Sequence, residues 1–189
     1  MRYIYIGKTV KCSVFLPVLL YFWYVISGTR TFLCFVFAVV IHEAGHIIAG
    51  LAMRRRISSF TLSPLGADIE YSGAVSYGAE IIIALAGPLA SVLAGAACFF
   101  SRDFAIVSVI YGIINLIPVP CFDGGRALRF FTCFFFDILL SDKICSAVNI
   151  IFLIIMYLFS VFLLFYTSFN ATLLFLCAYV FLNSYVKMK

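Results

Sequence analysis

Six nearly unbroken apolar stretches divide this chain, with polar and charged residues gathered between them. They run from about Cys12 to Ser27, Thr31 to Met53, Ala79 to Phe100, Phe104 to Phe122, Ile144 to Tyr166, and Thr172 to Val186. A helix that crosses a bilayer takes ~17–25 such residues. The pattern therefore predicts an all-α polytopic membrane protein of about six transmembrane helices. The first stretch is short and carries Arg2, Lys8 and Lys11 ahead of it, so a signal peptide is the alternative. No small-x-small cleavage site follows it, which favours a retained first helix.

Two connections are more than simple loops. Between Ile57 and Gly78 the chain reads ISSFTLSPLGADIEYSGAVSYG, punctuated by Gly and Pro and alternating around Ala67 to Tyr71. This pattern predicts a β-hairpin or re-entrant loop between helices 2 and 3, with a plain surface linker as the alternative. After Gly125, residues Arg126, Arg129, Cys133 and Asp137 recur at spacings of three and four among phenylalanines. Such a polar stripe on an aromatic-rich helix suits a segment lying in the membrane interface. The alternative is a continuation of the fourth span.

Composition reinforces the membrane reading. The chain is 65% hydrophobic and 11% charged, with a mean hydropathy of +1.16, which excludes an ordinary soluble domain. Its 189 residues are expected to form a single membrane-embedded domain (1–189), with a core at about 31–127 and helices 1, 5 and 6 as accessories. The net charge of +5 does not indicate a nucleic-acid partner, because the basic residues follow topology. With the N-terminus inside, eleven of the thirteen Lys and Arg fall on the inner side, leaving Arg30 and Arg102 outside. Both termini are therefore expected to be cytoplasmic in a multi-pass protein of the cell membrane. The seven cysteines are scattered without a C-x-x-C pair, which argues against a disulfide framework or a cysteine zinc site.

The only histidines, His42 and His46, flank Glu43 in an HEAGH sequence inside the second apolar stretch. On a helix this spacing puts both imidazoles on one face, one turn apart, where they can grip zinc. Glu43 is then placed to act as a base on water. Ionisable groups within a span cost ~2.5–3.5 kcal/mol each on insertion scales and are functional by default; a polar knot joining helices is the bland alternative. A catalytic zinc needs a third protein ligand. With no other histidine available, Asp123 in NLIPVPCFDGG (115–125) is the candidate and Cys121 its rival. Pro118 and Pro120 force that segment out of helix, and unwound backbone at such depth must be buried or line a cavity. Asp123 could instead cap the helix that follows. Charge topology places HEAGH and Asp123 in the cytoplasmic half of the membrane at similar depth, so one metal could serve both. Asn115 could hold the oxyanion formed when water attacks a carbonyl, or it could make an interhelical hydrogen bond.

HEAGH in one span and NLIPVPCFDGG in a later one resemble the zinc intramembrane proteases of the site-2 protease family. The closest likeness is to the bacterial branch that processes a sporulation sigma-factor precursor. AGPLASVLAG (Ala86 to Gly95) resembles the family's Gly-Pro-containing third helix, and the likeness runs from about Phe32 to Ala127. The resemblance implies a three-helix core, one Zn2+ held by His42, His46 and Asp123, and Glu43 activating water. It also implies that Asn115 assists the transition state and that the 57–78 region presents the substrate. Ser91 stands where the family often has Asn, and these 189 residues include neither a PDZ insert nor a CBS domain. The expected function is intramembrane hydrolysis of a peptide bond near the cytoplasmic face. The substrate would be a membrane-associated or transmembrane protein, with membrane inhibitors or regulatory subunits as further partners. A site-2-type protease acting on an anti-sigma factor or signal-peptide remnant is the nearest alternative. A catalytically idle scaffold is another, as is a transporter, although the halves show no repeat symmetry.

Overall fold

The computed structural model describes residues 3–6, 10–63, 66–73, 76–97, 101–166, 174, 177–182 and 184. Among the described residues the elements follow in the order β1 (Tyr3–Ile6), β2 (Val10–Ser13), α1 (Phe15–Ala52), β3 (Arg56–Ser63), β4 (Gly66–Ser72), α2 (Tyr77–Ala96), α3 (Arg102–Asn115), α4 (Asp123–Phe135) and α5 (Ile138–Tyr166). Three of these helices are long and apolar enough to cross a membrane: Leu16–Ala52, Tyr77–Ala96 and Ile138–Tyr166. Of the expected sixth span, Thr172–Val186, residues 174, 177–182 and 184 are described, and they are helical. The chain is a helical, polytopic membrane protein, and many of its large apolar side chains are exposed on the helices, as lipid contact requires.

Cys12 and Ser13 fall in β2, while most of the first two apolar stretches lies in α1. Gly28 interrupts it with φ 74° and ψ 164°, a conformation open to glycine and outside the helical region. The chain folds back there. Trp23 and Phe35, twelve residues apart, bring their ring centroids to 5.8 Å, and Tyr24 meets Phe32 at 5.4 Å. Twelve residues along a straight helix would rise ~18 Å. The expected turn between the first two helices therefore falls at this glycine.

The expected hairpin is present. Strands β3 and β4 pair antiparallel from Arg56↔Ser72 to Ser63↔Gly66, with an irregularity between Ile57 and Ser59. The N-terminal strands were not anticipated. YIYI consists wholly of aromatic and β-branched residues, which suit a strand, yet the nearby lysines read as the flank of a helix. β1 pairs antiparallel with β2, β2 lies parallel to β3, and the sheet order is β1-β2-β3-β4.

The chain divides into two compact units, 1–114 and 115–189. In the first, the second arm of α1 packs on α2 and α3 around Ala38, Ala94 and Phe104, joined by Cys34, Ile41 and Val107. Gly45 makes the approach of α1 to α2 close. A Cβ there would lie 2.7 Å from the Ala86 carbonyl oxygen and 2.8 Å from Ala90 Cβ, the small-residue contact typical of membrane helices. Arg30 and Asp103 form an ion pair at 3.0 Å.

In the second unit, α4 begins only after residues 116–122 leave the helix, as Pro118 and Pro120 demand. The stretch after Gly125 is thus a separate helix rather than a continuation of α3. Arg129 reaches Asp142 of α5 at 3.4 Å.

Candidate metal centre

His42 and His46 lie one turn apart on the second arm of α1 and are 2% and 6% exposed. Each ring is held by its Nδ1, and both holding groups belong to α2. His46 Nδ1 lies 2.7 Å from the backbone carbonyl of Ile83, and His42 Nδ1 lies 3.0 Å from Ser91 Oγ. A carbonyl oxygen can only accept, so His46 carries a proton on Nδ1, the arrangement in which a neutral imidazole offers Nε2 as its ligand atom. The two Nε2 atoms face each other at 3.1 Å. Two nitrogens bound ~2.0–2.1 Å from a tetrahedral zinc would stand ~3.3 Å apart. The pair is therefore arranged as two ligands of one small ion.

Neighbouring residues fix these rings further. A Cβ on Gly87 would overlap the His46 imidazole, so α2 has a side-chain-free position where that ring lies. The Tyr111 ring of α3 stands edge-on to His42 with centroids 4.9 Å apart, and edge-on to Phe35 at 5.8 Å. From β4, the Tyr71 hydroxyl donates to the backbone carbonyl of His46 at 2.9 Å. The hairpin also reaches Glu43. A Cβ on Gly66, at the start of β4, would lie 3.4 Å from Glu43 Oε1 and 3.5 Å from the Tyr111 hydroxyl oxygen. Glu43 is half-buried, on the same helix as both histidines.

At the base of the hairpin, Arg55 and Glu80 form a buried ion pair at 2.7 Å, with side chains 10% and 5% exposed. It links the end of α1 to the first turn of α2, where a carboxylate also suits the helix dipole.

The remaining expected site residues sit around the proline-broken segment. Asn115 ends α3 and is 5% exposed. Asp123 is the first residue of α4 and half-buried. The following glycines let α4 begin against its own lead-in: a Cβ on Gly124 would overlap the Leu116 carbonyl, and one on Gly125 that of Val119. Cys121, the rival ligand, has its sulfur 3.5 Å from Ser184 Oγ. Among the described residues, His42, His46 and Asp123 make up a donor set that could hold a metal ion, and Cys121 is not part of it. Two imidazoles and a carboxylate suit zinc and leave a fourth position for water or substrate.

Sequence reasoning missed the groups that hold the histidines. Ser91 stood out only as a departure from a motif, and Ile83 acts through a backbone oxygen that any residue possesses. Tyr71 and Tyr111 looked like ordinary aromatic residues. Tyr111 precedes Asn115 by one helical turn, the single local sign that it belongs to the same face.

Residues 12–122 match a family described as Peptidase M50B-like, and residues 102–163 match Peptidase family M50. The chain is 28% identical over 136 residues to a zinc metalloprotease of Methanocaldococcus jannaschii, an alignment covering 65% of this chain. It spans about two-fifths of that relative's length (40%). Its fold is similar to that of a site-2 protease from Methanocaldococcus jannaschii, with a TM-score of 0.72 and 21% identity, covering 100% of this chain and 95% of the other.

Proposed function

The chain belongs to the M50B-like peptidase family, and we propose that it is a zinc endopeptidase that hydrolyses a peptide bond of a membrane-associated or transmembrane protein. The observation that carries this reading is the histidine pair, with each Nδ1 tied to α2 and the two Nε2 atoms 3.1 Å apart. In this reading His42, His46 and Asp123 hold one zinc ion, which supplies Lewis acidity to water and to the substrate carbonyl. Glu43 takes a proton from the attacking water and returns it to the leaving amine. The Asn115 amide donates to the oxygen that gains negative charge. A helical substrate must unwind first, because its backbone shields the scissile bond.

β4 is an edge strand of the sheet, and its first residue lies beside Glu43. An extended substrate adds to that edge through main-chain hydrogen bonds. The distribution of basic residues supports cleavage near the cytoplasmic face, with both termini on that side. Sequence likeness names a sporulation sigma-factor precursor as one substrate to test. An anti-sigma factor and a signal-peptide remnant are the others, and a membrane inhibitor or regulatory subunit would control access.

The test is reconstitution of the chain in lipid vesicles with these candidates. Glu43→Gln is expected to lower cleavage by ~10²–10⁴-fold while zinc stays bound, and a zinc chelator to abolish cleavage. Cleavage that persists with chelator present and zinc removed overturns the mechanism. A scaffold would keep its function in the Glu43→Gln variant. Proline placed in turn at each position of 67–71 tests strand addition: edge-facing positions should lose cleavage with zinc retained, and unchanged turnover at every position removes it.

A further inference from the structure

We propose that Ser91 is the positioning residue that orients His42 as a metal ligand, with α3 holding Ser91 in place. This rests on the zinc reading above. His42 Nδ1 lies 3.0 Å from Ser91 Oγ, and the two residues are 2% and 0% exposed. An imidazole that binds zinc through Nε2 carries its proton on Nδ1, and a second hydrogen-bonding group fixes that tautomer and the ring's direction. Ser91 Oγ is the acceptor in that arrangement. Losing it would leave a buried N–H without that partner.

Ser91 is itself held from the far side. Its backbone carbonyl accepts a hydrogen bond from Ser108 Oγ of α3 at 2.8 Å, and Ser108 is fully buried. One turn further along α3, Gly112 faces the same spot. A Cβ there would lie 2.9 Å from the Pro88 carbonyl oxygen and 3.0 Å from Ser91 Cβ. Helix α3 therefore rests on α2 at the level of Ser91 with no side chain of its own at Gly112, and the serine cannot shift away without moving α3.

The two histidines differ in what holds them. The acceptor for His46 is a main-chain oxygen, which persists whatever residue occupies position 83. The acceptor for His42 is one hydroxyl, and a single substitution removes it. Ser91 is thus a position where the hold on His42 can be loosened without altering a ligand.

The experiment uses the full chain in lipid nanodiscs, with zinc affinity measured by competition against a chromophoric chelator. The ligand-field spectrum of the Co2+-loaded protein and the thermal transition of the metal-free protein accompany it. Ser91→Ala is expected to weaken zinc binding by ~10–100-fold and to shift the cobalt band, with the metal-free protein still unfolding cooperatively. Ser91→Thr, which keeps the hydroxyl, is expected to restore the affinity. The proposal is overturned if Ser91→Ala binds zinc as tightly as the parent with an unaltered cobalt band. Equal loss in the alanine and threonine variants also overturns it, since bulk rather than the hydroxyl would then matter. If threonine is not tolerated beside Gly112, the cobalt band of Ser91→Ala decides alone. A parent chain that takes up no zinc fails the zinc reading itself, whereas a parent that binds zinc and is matched by Ser91→Ala fails only this proposal.

Discussion

Helices α2 and α5 are both long and apolar enough to cross a bilayer, and α5 is the more apolar of the two. Their surfaces are used differently. The apolar span of α2 is 44% buried and that of α5 is 17% buried. The buried positions of α2 include Glu80, Ile83, Gly87, Pro88 and Ser91, and these pair with Arg55, make room for one histidine ring and hold both rings in place. Those of α5 are Ser141, Asn149, Leu153 and Ser160, while most of its large side chains are exposed. In lipid, apolar character drives insertion and does little to join helices. The helix that organises chemistry is therefore marked by small and polar residues, not by greater hydropathy.

Substitutions of decreasing severity can break or sharpen this contrast. The largest effect is expected from Gly87→Ala, because the new methyl group would overlap the His46 ring while the Ile83 carbonyl holds that ring in place. Zinc affinity should fall beyond the ~10–100-fold that loss of an outer hydrogen-bond partner costs. Competition with a chelator measures this, and parental affinity would show that α2 can yield there.

Arg55→Ala comes next. It strands a 5%-exposed Glu80 side chain without its 2.7 Å partner, and removing one member of a buried pair destabilises by ~3–5 kcal/mol. Thermal unfolding should reveal the loss, and replacing both residues by apolar ones of similar volume should recover much of it. A single substitution with no thermal effect would mean that water reaches the pair.

A milder change is expected from Tyr71→Phe, which removes one hydrogen bond to the His46 carbonyl, about 0.5–1.5 kcal/mol. Turnover should fall roughly two- to tenfold at that energy, and a larger fall would give the hairpin a direct part in catalysis. On α5, Leu158→Ala removes a side chain that is 61% exposed, and stability should move by no more than ~0.5 kcal/mol. A greater loss would mean that α5 meets a protein partner on that face.

Legibility from sequence followed the range of the interactions. HEAGH was readable because both histidines and the glutamate share one helical turn, so local geometry alone brings them together. The unwinding before Asp123 was readable because Pro118 and Pro120 forbid a helix wherever they stand. The β3–β4 hairpin was half-readable, through its Gly and Pro punctuation and its alternation. The strands at Tyr3–Ile6 and Val10–Ser13 were not, since they join the hairpin in one sheet through β2 lying parallel to β3, some fifty residues away. The partners of the imidazoles were equally hidden, at separations of 37 and 49 residues.

From the order of residues alone came the membrane class, the apolar stretches and the chemical types of the candidate ligands. These depend on hydropathy, helical period and the stiffness of proline, all properties of neighbours along the chain. Tertiary packing determined how the ligands are aimed. The proton on His46 Nδ1 follows from a carbonyl on another helix, the direction of His42 from a serine braced by a third, the space for His46 from Gly87, and the close approach of α1 to α2 from Gly45. A hydrogen-bond direction and a gap of one methyl group exist only once helices are packed against each other.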